Sequence, residues 1–208
     1  MTRRWILGAA LLAILPAAPA ARAQVGFSVS PYVGLHLHDD GAIAYARGEG
    51  EAESAIRVDP SRFLGVRLGV RFFERFWLEG DLGLASLKGD VENAGDLEDA
   101  ELDGRSTLYS VAAGLDLWPG RKLSTVALLG IGGATTDFDL AETESFTDVI
   151  VTAGLAASYP ILPHLRLRGD VRSVVEFCDR PEEEEFSSCL EDASLTHVQF
   201  SGGLRFDL

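Results

Sequence analysis

Residues 195–208 read LTHVQFSGGLRFDL, and their period decides the fold. Val198, Phe200, Leu204, Phe206 and Leu208 alternate with His197, Gln199, Ser201, Arg205 and Asp207. Successive side chains of an extended chain point to opposite sides, so this period of two predicts a strand with one apolar face. The pattern recurs upstream. In residues 25–38, Val25, Phe27, Val29, Pro31, Val33, Leu35 and Leu37 face Gly26, Ser28, Ser30, Tyr32, Gly34, His36 and His38. Residues 63–73 set Leu64, Val66, Leu68, Val70 and Phe72 against Gly65, Arg67, Gly69 and Arg71. Residues 165–177 set Leu165, Leu167, Val171, Val175 and Phe177 against Arg166, Arg168, Asp170 and Arg172. Four less regular segments, 77–87, 106–118, 122–136 and 147–159, bring the predicted strands to eight; Val126 and Leu128 interrupt the alternation of the third.

The connections alternate as well. Those at Glu74-Arg75-Phe76, Pro119-Gly120-Arg121 and Pro160 to His164 are tight, whereas 39–61, 88–105, 137–146 and 178–194 are long. Short turns at one end and long loops at the other predict an antiparallel up-and-down transmembrane β-barrel. Counted with their boundary residues through 148 and from 176, the long loops hold 26 of the 32 Asp and Glu.

The N-terminus sets the compartment. Arg3 and Arg4 precede the apolar run WILGAALLAILPAAPA (5–20), and Ala21-Arg22-Ala23 supplies a small-x-small site. This is the pattern of a secretory signal peptide over 1–23, leaving 24–208 as one barrel domain. The run is too short and too Pro-interrupted for a spanning helix, and no later stretch is long and apolar enough for one. Losing three arginines moves the formal net charge from -14 to -17. So acidic a chain repels phosphate backbones, and no nucleic-acid partner is expected.

A soluble ligand-binding barrel of the periplasm would show the same alternation with its apolar face turned inward. Two features favour the opposite sense. The polar face mixes charge with small residues, Gly26, Gly34, Gly65, Gly69, Gly83, Gly114, Gly154 and Gly203, as a narrow eight-stranded lumen filled by side chains requires. Its charges also come close to balance: Arg67, Arg71, Arg166, Arg168, Arg172 and Arg205 against Glu79, Asp81, Asp116, Asp170 and Asp207. Pairing is what a low-dielectric interior demands, and the arginine fork suits buried pairs better than lysine. A lumen charge network of Arg67, Arg71, Glu79, Asp81, Asp116, Arg166, Arg168, Asp170, Arg172 and Arg205 is therefore expected. Trp77, Trp118 and Tyr159, each beside a tight turn, are expected to form an interfacial girdle.

Ser201-x-Gly203-x-x-Phe206-x-Leu208 resembles the terminal β-signal by which outer-membrane proteins are recognised by the barrel-assembly machinery; the family pattern usually ends in Phe, where this chain has Leu208. By pattern rather than by a diagnostic motif, residues 25–208 resemble the small eight-stranded outer-membrane barrel family, of the OmpA-transmembrane-domain and OmpX type. The resemblance implies the cell outer membrane, with tight turns in the periplasm and long loops outside. It also implies outer-membrane lipids and the assembly machinery as partners.

Chemistry-bearing motifs are sparse. Cys178 and Cys189, an even count in an exported chain, are expected to form a disulfide across a polar loop. His36 and His38, followed by Asp39 and Asp40, could offer zinc or copper two imidazoles and a carboxylate. Nothing closes that set, and Tyr32 and Gly34 on the same face read as rim polarity, so no metal site and no cofactor are expected. The acids at Glu182 to Glu185 and from Asp96 to Asp103 lack EF-hand spacing and would bind divalent cations weakly at most. His197 and Ser201 are two pleats apart, Ser106 and Ser110 have no His nearby in sequence, and no GxSxG, P-loop or HExxH occurs. The function expected is that of a non-enzymatic scaffold presenting acidic extracellular loops. A narrow channel for small solutes, a lipid-handling barrel enzyme and the soluble periplasmic barrel are the alternatives.

Overall fold

The computed structural model describes residues 25–38, 44–47, 53–73, 75–92, 101–138, 145–177, 186–187 and 194–208. Every regular element among them is a strand: β1 (Gly26–His38), β2 (Ala44–Arg47), β3 (Glu53–Val58), β4 (Ser61–Phe72), β5 (Phe76–Glu92), β6 (Glu101–Asp116), β7 (Ser124–Phe138), β8 (Phe146–Leu162), β9 (Leu165–Phe177), β10 (Phe186–Ser187) and β11 (Ser194–Asp207). Eight of them, β1, β4 to β9 and β11, form the barrel. Each pairs antiparallel with its neighbour, β1 meets β11, and the β5–β6 pairing closes the ring. Closure leaves no unpaired edge within the wall, which is the condition for a sheet to sit in hydrocarbon. The shortest wall strand, β4, has 12 residues. At about 3.3 Å per residue and a tilt of about 40°, it rises roughly 30 Å, enough for the ~25 Å apolar band of a transmembrane barrel.

The faces fall as the alternation predicts. Val33 (66% exposed), Leu68, Leu129 (64%), Ile131, Leu155, Leu167 and Phe200 point outward, while Arg67, Glu79, Asp170 and Arg172 are buried inside. An apolar exterior around a charged interior is the reverse of a water-soluble barrel.

The structure changes three details. First, β5 and β6 run past the expected ends at 87 and 106, with pairing continuing to Asp90 opposite Glu101. Second, part of the expected loop 39–61 is a β2–β3 hairpin whose β3 pairs with the outer end of β5 and whose β2 pairs with β10. On this side the wall continues beyond the barrel proper, because loop backbone keeps pairing where strands already lie side by side. Third, Val126 and Leu128 point inward. They break the alternation because they fill the lumen, where a narrow barrel has room for apolar side chains too.

Tight turns close the other end. At Trp118–Arg121 the Arg121 amide donates to the Trp118 carbonyl at 3.4 Å, and Gly120 takes φ 82°. Pro followed by a residue of positive φ is a type II turn, which calls for glycine at that position. Residues 1–23, Cys178 and Cys189 lie outside the described residues, and with them the expected signal peptide and the expected disulfide.

Candidate functional site

The lumen is layered. Nearest the tight turns, Trp77, Ala112, Val126, Leu128 and Ala156 form one apolar cluster. Further along, Phe63, Ala85, Leu87, Leu108, Ala134, Ile150 and Val174, with Tyr32, form a second. Between them lies a compact ionic cluster.

Arg67 on β4, 1% exposed, is its hub. Its Nε donates to Asp81 at 2.7 Å, Nη1 to Asp170 at 2.9 Å and Nη2 to the Ser201 hydroxyl at 2.9 Å. Arg168 donates to Glu79 at 2.5 Å and to Asp170 at 2.7 Å. Arg172 reaches Glu79 at 2.5 Å and Asp81 at 3.1 Å. The Tyr32 hydroxyl donates to Asp81 at 2.5 Å, and the Arg67 guanidinium lies 3.7 Å above the Tyr32 ring. Three guanidiniums thus meet three carboxylates with no net charge. That balance, with multiple hydrogen bonds per group, is what lets buried charges tolerate desolvation.

The other four residues expected in the network are elsewhere. Arg205 and Arg166 both donate to Asp207, at 2.7 and 3.1 Å, near the tight-turn end. Arg71 and Arg205 flank Trp77, their guanidinium carbons 5.8 and 4.1 Å from its ring. Asp116 accepts from the Ser124 hydroxyl and the Trp118 amide, both at 3.0 Å. Their alternation placed them inside but could not place them at one height. Trp77 also departs from the expected girdle. It shares the inward face with Glu79 and Asp81, where two arginines cover its ring, whereas Trp118 and Tyr159 are exposed.

Sequence reasoning missed Tyr32 and Ser201 as members of the cluster. Tyr32 was legible as a polar-face residue, but its partner Asp81 is 49 positions away. Ser201, expected in an assembly signal, is also a ligand of Arg67. Gly203 of the same motif packs where a Cβ would meet the Pro31 carbonyl oxygen and, at 2.9 Å, the Tyr32 Cα. Phe206 and Leu208 face outward.

An interior cavity of about 20 Å³ is lined by Tyr32, Phe63, Asp81, Leu108, Ile150 and Arg172, among others. That is room for about one water. Apolar layers and a paired ionic cluster fill the lumen around this cavity.

The sequence profile of the outer membrane protein beta-barrel domain matches residues 7–206. The chain belongs to that family. Among solved structures it is similar to OprG from Pseudomonas aeruginosa, with 13% identity, 88% of this chain and 95% of OprG covered, and a TM-score of 0.62. It is also similar to Neisserial surface protein A (NspA), with 13% identity, 88% and 97% coverage and a TM-score of 0.55. A major outer membrane protein from Thermus thermophilus follows, with 12% identity, 89% and 100% coverage and a TM-score of 0.53. Likeness at such identities shows the fold alone. No curated protein matches the sequence. This family member is thus an eight-stranded barrel of the cell outer membrane.

Proposed function

We propose that this outer-membrane barrel is a non-enzymatic scaffold that holds acidic loops at the cell surface and does not conduct through its lumen. The Arg67–Glu79–Asp81–Arg168–Asp170–Arg172 cluster between two apolar layers carries this reading, because it occupies the path a solute would take. Outer-membrane lipids cover the Leu, Val and Phe exterior, and the barrel-assembly machinery reads the segment from Ser201 to Leu208. The loops make the contacts, with divalent cations held only weakly among their carboxylates.

Planar-bilayer recording tests this. The refolded protein should give no steady single-channel current. A reproducible current that disappears or changes with Arg168→Ala would place a conducting path through the cluster and reject the scaffold reading in favour of a narrow channel.

A further inference from the structure

The outward face of the wall carries an exposed cationic row at its long-loop end. Arg62 of β4 registers with Ser86 of β5, and Ser86 with Arg105 of β6. The two arginines thus stand two strand spacings apart, roughly 10 Å at about 4.8 Å per spacing. Both are exposed, and among the described residues neither enters an ion pair. Asp137 continues the row beyond Arg105. Lys88, one pleat further out, reaches Asp103 at 3.8 Å, and its carbonyl accepts from the Asp59 amide. One pleat inward the face turns apolar, with Leu64 and Leu84 exposed side by side.

Below the row the same part of the wall forms an open groove of about 410 Å³. Leu68, Leu82, Tyr109, Val111 and Ile131 line it around Gly80, among others. Gly80 is what opens it. Strand pairing runs unbroken through this residue, with Leu68 on one side and Val111 on the other. Its φ is not positive, and a Cβ there would meet nothing within 4 Å. Glycine inside a strand weakens it and marks a bulge or a close approach. Here there is no bulge and no protein neighbour, so the space is left on the lipid side.

The row and the groove are one leaflet apart. Gly80 lies six residues from Ser86 along β5. At about 3.3 Å per residue and a tilt of about 40°, that is a descent of roughly 15 Å. Half of a hydrocarbon core about 30 Å thick has the same depth. Arginines at headgroup level therefore stand over a groove that reaches the end of an acyl chain.

We propose that Arg62, Arg105 and the groove at Gly80 form a binding site for one phosphorylated lipid of the outer leaflet. The guanidinium forks take its phosphate groups through paired hydrogen bonds, and an acyl chain lies along Leu82 and Gly80. Two guanidiniums this far apart suit a headgroup with more than one phosphate. The choice of leaflet rests on the proposed placement of the long loops at the cell surface.

The test is native mass spectrometry of the refolded mature chain, released from detergent micelles after titration with diphosphoryl lipid A. Arg62→Gln, Arg105→Gln and the groove-filling Gly80→Leu are compared with Lys122→Gln at the tight-turn end. Each is first shown to be folded by its altered migration when unheated. One lipid A per chain is expected, with retention falling at least about fivefold in the first three variants and unchanged in the fourth. Inorganic phosphate should not displace it. Equal loss in Lys122→Gln, or no loss in the arginine variants, overturns the phosphate contact. Full retention in Gly80→Leu overturns the groove, as does a lipid-free dimer that this variant abolishes. Phosphatidylglycerol retained as well as lipid A overturns the outer-leaflet assignment. None of these readings depends on whether the lumen conducts.

Discussion

Arg67 joins three other strands from its place on β4, bonding Asp81 of β5, Asp170 of β9 and Ser201 of β11. Replacing one partner of a buried pair leaves the others charged and unmatched. Arg67→Leu should therefore destabilise the barrel by about 3–5 kcal/mol, read as a lower midpoint of denaturant unfolding in lipid. An unchanged midpoint would mean the cluster is worth no more than a surface salt bridge. Gly203 acts by omission: any side chain there meets the neighbouring backbone of β1. Gly203→Ala should cost about 1–3 kcal/mol in refolding experiments, without any assembly factor present. Phe206 is different, since its ring faces outward. Phe206→Ala should refold in detergent much as the native chain does but insert poorly in cells. Equal insertion in cells would remove the assembly-signal reading.

Elements show how local chemistry sets the two ends of the barrel. The Trp118–Arg121 turn needs a positive φ at its third position, and Gly120 supplies it. Gly120→Ala should cost about 1–2 kcal/mol by forcing a Cβ into the left-handed region, visible as a lower unfolding midpoint. At the other end the β2–β3 hairpin adds backbone pairs to β5 where no lipid enforces pairing. Strand existence was legible from periodicity, but strand length was not. Alternation fades where both faces meet water, while the β5–β6 ladder continues to Asp90 and Glu101 regardless.

For the molecule as a whole, the inverted arrangement of faces makes the barrel dependent on a membrane or a detergent. Unheated samples should migrate differently from boiled ones on detergent gels, and the protein should fractionate with outer membranes. Recovery from the soluble periplasm would contradict this placement. The ionic cluster between two apolar layers adds rigidity to the wall.

Sequence alone determined the eight strands, their antiparallel order and the direction of their faces. Period-two alternation, the rhythm of tight and long connections, and nearly balanced charge among glycines are all local signals. Tertiary structure alone decided which inward residues share a height in the lumen. Barrel closure and stagger brought Arg67, Glu79, Asp81, Arg168, Asp170 and Arg172 together, and left Arg71, Asp116, Arg166 and Arg205 at the tight-turn end. The same stagger set His197 of LTHVQFSGGLRFDL opposite His38, 159 positions earlier in the chain. Period tells each residue which side to face; only the register between strands tells it whom to meet.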